Sequence, residues 1–206
     1  MAKPMKRAIV VPILIILNAA VFVLWYIQGP QSAFMTDNFL VSWDGLMAGR
    51  WWTLVTSVFS HNWWLHIFVN MFVLNSFGTL LEHVLGHWRF LAFYIVAGIM
   101  ASLTHALVSN YYLHTPDVRA LGASGSIAGL VWVFSLLFPK EKILLFGILP
   151  MPAILGALAF VGLDLWGLSA QAAGGGLPLG HGAHLGGALA GILFYVFHLR
   201  KYVRRD

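Results

Sequence analysis

The chain is poor in charge. Asp, Glu, Lys and Arg make up 9% of its 206 residues, where a soluble domain carries about 25%. That shortage excludes an ordinary water-facing surface. With 60% of residues hydrophobic, the composition is that of a protein embedded in lipid. Cysteine is absent, which excludes a disulfide framework, a thiolate nucleophile and a cysteine-bound zinc. There is no HExxH, and no His–carboxylate set has zinc spacing, so no metal or cofactor is expected. No internal repeat of the transporter kind is visible. The net charge of +5 does not point to nucleic acid, because its placement follows membrane-helix edges: Lys3, Lys6 and Arg7, then Lys140 and Lys142, then Arg200, Lys201, Arg204 and Arg205.

A helix needs roughly 20 apolar residues to cross a bilayer. Spans are expected at 8–27, 64–82, 89–108, 124–138, 146–166 and 183–200. The first follows MAKPMKR but is longer than the about 7–15 apolar residues of a signal peptide. No small-x-small cleavage site follows it at Gln28–Gln31, so it reads as a retained helix. With the N-terminus inside, the inner segments hold Lys3, Lys6, Arg7, Arg89, Lys140, Lys142, Arg200, Lys201, Arg204 and Arg205. The outer segments hold only Arg50 and Arg119. This bias places both termini in the cytoplasm. The expected fold class is an all-α polytopic membrane protein, a single domain over 1–206 built as a bundle of six transmembrane helices. The long outer segment between spans 1 and 2, rich in Trp, is expected to lie partly in the outer leaflet. The stretch AAGGGLPLG before span 6 is expected to be flexible and without structure.

Span 4 is short. Ser124–Phe138 holds 15 residues, about 22 Å of helix against a hydrocarbon core of about 30 Å. With its inner end at the surface, its outer end, Ser124, stops below the outer surface. A helix start supplies free N–H groups and a positive dipole end, and irregular backbone at that depth is tolerated beside a wet cavity or protein. Ser124 therefore reads as a buried, wet serine at a helix start. The competing reading is packing: Ser124 with Ala128, and Gly125 with Gly129, are small-xxx-small pairs. Span 6 begins HGAHLGGALAG and carries a second such pair, Gly187 and Gly191. If the two faces pack, His184 comes within reach of Ser124, a general base beside a nucleophile. On span 2, His66 and Asn70 share a helix face and can donate to a developing oxyanion; the alternative for them is interhelical polar packing. Asp164 is expected to bond loop backbone, and Glu82, His83 and His87 to be solvated or capping.

These residues together resemble the rhomboid intramembrane serine proteases of the bacterial six-helix type. The likeness covers nearly the whole chain: GRWWTLVTSVFSH, His66-x-x-x-Asn70, Gly122-Ala123-Ser124-Gly125, DLWGLS and Ala183-His184-x-x-Gly187. It implies a rhomboid bundle and a Ser–His dyad of Ser124 and His184 with no third acid. It also implies an oxyanion hole from His66, Asn70 and the Ser124 backbone N–H, and a structural role for Arg50. Two departures stand out. Ala128 occupies the position where well-studied bacterial members carry a tyrosine stacked on the catalytic histidine, so something else must orient His184. The loop between DLWGLS and AHLGG is also longer.

The resemblance implies cleavage of single-span transmembrane substrates within a lipid bilayer, in a bacterial inner membrane, with no nucleic-acid partner. Gly174, Gly175 and Gly176, with Trp166 at the expected end of span 5, are expected to gate substrate entry without taking part in chemistry. An inactive relative that binds membrane helices, and a transporter or channel, are the competing readings.

Overall fold

Nineteen residues free of charge, Val10–Gln28, form the first helix, α1. The computed structural model describes residues 7–145 and 148–200. Lys3, Lys6, Lys201, Arg204 and Arg205, which carry much of the expected inside charge, lie outside the described residues. The first turn of α1 has no acidic residue of its own. The buried Glu82 supplies that charge, accepting the N–H groups of Ile9, Val10 and Val11 at 2.7, 2.9 and 2.9 Å. A carboxylate there satisfies donors that every helix start leaves open.

The outer segment that follows folds into short helices: α2 (Ala33–Phe39), α3 (Trp43–Met47) and α4 (Thr53–Thr56). Ser32 and Ser42 cap the first two through their side chains. Trp51, Trp52 and Trp63 are exposed on it. Helix α5 (Trp64–Val73) runs through a wider π turn, Leu74–Gly78, into α6 (Thr79–Leu85), and the three make one span, Trp64–Leu85. Then come α7 (His87–Tyr111) and α8 (Ser124–Leu137).

Span 5 is displaced from its expected place at 146–166. Lys142–Leu145 and Leu149–Pro152 form an antiparallel pair, β1 and β2, with Lys142 opposite Pro152 and Leu145 opposite Leu149. The apolar run ILLFGILPM has the composition of a span. Pro150 and Pro152 lack the N–H that a helix interior needs, and each biases its predecessor toward extended backbone. Helix α9 starts just after Pro152 and runs from Ala153 to Ala172, past the expected end at Trp166. Helix α10 (His181–Phe194) continues through a second π turn, and the span runs to Leu199. Among the described residues, five helices are long and apolar enough to cross a membrane: α1, the α5–α6 span, α7, α9 and the α10 span. Ser124–Leu137 is a shorter apolar helix.

Helices α7, α8 and α10 pack directly on one another, with almost no side chain where α8 crosses α10. A Cβ on Gly187 would run into the Gly125 carbonyl, and one on Gly129 would lie 2.9 Å from the Gly187 carbonyl oxygen. A Cβ on Gly191 would meet the Gly129 carbonyl and Trp132. In lipid, helix association comes from such close packing and not from expelling water. The expected contact between the two glycine faces is therefore present. Gly187→Ala is expected to cost about 1–3 kcal/mol as an overpacked crossing. It should also separate α10 from α8. Thermal unfolding in detergent checks this; an unchanged midpoint contradicts the packing account.

Candidate active site

The chain reaches α8 through a segment tied on several sides. The Val41 and Ala120 backbones exchange hydrogen bonds at 2.9 and 2.8 Å, and the Gly122 N–H donates to the Ser57 carbonyl at 2.9 Å. The Ala123 N–H donates to His61 Nε2 at 3.4 Å. His61 is fully buried and stays neutral: burial, then the neighbouring His66, push its pKa down to about 3. A neutral ring can accept at Nε2. Gly122 has φ of +121°, and a Cβ there would lie 2.7 Å from His66 Cε1. Both the backbone angle and the close approach require glycine. The outer segment thus fixes where Ser124 begins its helix.

Ser124 is the first residue of α8, and the first intrahelical bond runs from the Ile127 N–H to the Ala123 carbonyl. The N–H groups of Ser124, Gly125 and Ser126 are left unused by the helix itself. His184, in the first turn of α10, holds Nε2 3.0 Å from Ser124 Oγ. Its Nδ1 lies 3.0 Å from Asp164 Oδ1 on α9. An ionised carboxylate only accepts, so Nδ1 carries the hydrogen and Nε2 is the free lone pair. The Ser124 hydroxyl then donates to Nε2, the arrangement proton removal requires.

Asp164 is thereby corrected from its expected part as a partner of loop backbone. The same oxygen also accepts from His181 Nδ1, at 2.8 Å. His181, the first residue of α10, went unnoticed in the sequence. Its one signal is its place three residues before His184, which puts both rings on one helix face. A Cβ on Gly167 would collide with the His181 ring, so that glycine makes its room. Asp164, His181 and His184 offer ligand atoms within 4.8 Å of one another. Chain spacing gave no sign of this cluster. A cation there would have to replace the protons of two N–H bonds already directed at one carboxylate oxygen, so the geometry is that of a hydrogen-bonded set.

His66 and Asn70 lie on α5 as expected. The His66 ring packs on Gly122, two residues before Ser124, and edge-on to His61 at 4.8 Å between ring centres. The Asn70 amide donates to the His66 carbonyl at 2.8 Å, which leaves a second amide hydrogen. Trp166 is 71% exposed on the outer side of α9. The glycine stretch has no regular element after Gly174, as expected, but its start is hydrogen-bonded to the end of α9. The Gly175 N–H reaches back to the Ala170 carbonyl at 2.9 Å and the Gly174 N–H to Gln171 at 3.0 Å, with Gly174 at φ +80°. This paired closure ends α9 as helices with a left-handed residue after the cap do. The Gln171 amide then bonds the Leu177 and Leu179 carbonyls at 2.7 and 2.9 Å.

Comparison with known proteins agrees with this architecture. The chain is 34% identical over 197 residues to Rhomboid protein 1, mitochondrial, of Saccharomyces cerevisiae, covering 92% of this chain and 53% of that protein. It is 32% identical to RHOMBOID-like protein 12, mitochondrial, of Arabidopsis thaliana, over 85% of this chain and 54% of that one. It is 31% identical to the Arabidopsis Rhomboid-like protein 16, chloroplastic, over 74% and 51%. The chain spans about half the length of these relatives. The membrane-length helices support an integral multi-pass membrane protein, while the relatives' names, mitochondrial and chloroplastic, give no support to the expected bacterial inner membrane. The family model for the Rhomboid domain matches residues 48–201, from the outer segment that fixes Ser124 to the end of the last span, and the chain belongs to the rhomboid family.

Proposed function

We propose that the chain is an intramembrane serine endopeptidase that cuts single-span transmembrane proteins. The observation that carries this reading is the 3.0 Å approach of Ser124 Oγ to His184 Nε2 at the start of a short apolar helix. Ser124 attacks a peptide carbonyl while its proton passes to His184 Nε2. The imidazolium then gives that proton to the leaving amine, and water repeats the cycle on the acyl-enzyme. The oxyanion forms beside the open N–H groups of α8, with His66 and the second Asn70 amide hydrogen as further donors. Water enters from the outer side, nearer the start of α8. A helical substrate must unwind to present its carbonyl, so Gly or Pro near its outer end favours cleavage. The test is cleavage of a single-span substrate by purified protein in liposomes. Appearance of a fragment cut within or beside the span supports the reading; intact substrate with folded protein overturns it.

The loop after α9 belongs to the same proposal as a gate for substrate entry, with Gly174–Gly176 in it and Trp166 exposed on α9, six residues before the helix ends. Its hold on α9 is the Gln171 clamp. Gln171→Ala should raise cleavage of a transmembrane substrate roughly threefold, the effect of losing somewhat under 1 kcal/mol of hydrogen bonding. Modification of Ser124 by a small fluorophosphonate should be nearly unchanged. Equal changes in both assays would mean that the loop supports the site and does not gate it.

A further inference from the structure

We infer that Asp164 is the residue that positions His184 for proton transfer, and that His181 holds Asp164 in turn; this rests on the protease reading above. Three facts converge on one carboxylate oxygen. His184 Nδ1 lies 3.0 Å and His181 Nδ1 2.8 Å from Asp164 Oδ1. The side chains become more enclosed away from the serine: 26% exposed at His184, 13% at Asp164 and 7% at His181. The His181 ring fills space that only a glycine at 167 leaves.

The chemistry follows from what each atom can do. Asp164 accepts the Nδ1 hydrogen of His184, which fixes the tautomer with Nε2 free to take the Ser124 proton. When that proton arrives, His184 becomes a cation beside a carboxylate, and the charge that forms in the reaction is stabilised where it forms. Asp164 keeps its negative charge throughout, and the proton moves only between Ser124, His184 Nε2 and the leaving amine. His181 donates to the same oxygen from three residues earlier in the same helical turn, which limits rotation of the carboxylate. Its Nε2 is buried without a partner among the described residues, so its fixed contact is the one with Asp164. A purely structural clasp between α9 and α10 would need only the His181 contact. The second contact, to the ring that touches Ser124, is what assigns Asp164 to the reaction.

The test compares Asp164→Asn, Asp164→Glu and His181→Asn with wild type, reading kcat, KM, fluorophosphonate labelling of Ser124 and thermal midpoint. Asp164→Asn should lower kcat about 10²-fold and slow labelling by a similar factor, with KM little changed. Asp164→Glu should recover part of that loss. His181→Asn keeps an N–H for Asp164 and should cost less than about tenfold. Nitrogen NMR of wild-type protein labelled at histidine should show His184 protonated at Nδ1 and bare at Nε2; the opposite tautomer overturns the inference without any variant. So does a kcat for Asp164→Asn close to that of an active wild type, or a His181→Asn loss as deep as that of Asp164→Asn with both midpoints lowered. Wild-type protein that neither cleaves nor labels removes the protease reading itself, and this inference with it.

Discussion

Ser124→Ala is expected to eliminate the proposed cleavage, by at least about 10³-fold, and to leave the bundle folded. The size of the loss follows from position. Ser124 Oγ is the hydroxyl bonded to His184 Nε2, and alanine has no atom to attack a carbonyl. The stability of the variant follows from the same geometry. Ser124 begins α8 and makes no side-chain cap of its own, since Ala123 is the N-cap. Alanine is the best helix former. Loss of the Ser124–His184 hydrogen bond should be worth only about 1 kcal/mol. A thermal midpoint lowered by no more than about 2–4 °C, with no product, is the expected pair of readings. Cleavage near the wild-type rate by the purified variant would remove Ser124 from the chemistry.

His184→Ala should be as inactive as Ser124→Ala, and the double variant no worse than either. Residues that act as one unit lose the unit's whole contribution when either is removed. Without the imidazole the Ser124 proton has no acceptor, and without the hydroxyl the imidazole has nothing to deprotonate. The comparison needs the three variants and a substrate turned over slowly enough to measure residual rates. Losses that multiply would mean that the two side chains contribute independently, and would contradict their 3.0 Å partnership as the reacting pair.

Much of this arrangement is legible in the sequence because it depends on local spacing. The length of the Ser124–Phe138 run predicts a helix that stops short. Gly125 and Gly129 against Gly187 and Gly191 predict the crossing that brings α8 to α10. The part that is not legible turns on one boundary. The apolar run after Lys142 has the composition of a membrane helix, so α9 is expected too early and Asp164 falls near its outer end, beside the loop. Pro150 and Pro152 instead turn that run into β1 and β2 and shift α9 toward its C-terminal side. Asp164 then lies eight residues, about 12 Å, before Ala172, inside the bundle and facing α10. The same shift turns the first of the three glycines from linker into helix cap. His61 escapes notice for a different reason. Its partner, the Ala123 N–H, is 62 residues away, and no periodicity joins a loop histidine to a helix start. With Asp164 at His184 Nδ1, the alanine at 128 no longer leaves His184 without an orienting partner.

The most direct measurement is mass spectrometry of protein treated with a fluorophosphonate in detergent or lipid, with the modified peptide sequenced. The account predicts one phosphonyl adduct, on Ser124, formed at a rate that falls with His184→Ala while the protein stays folded. No adduct on folded wild-type protein, an adduct on another serine, or labelling of Ser124 indifferent to His184 would contradict it.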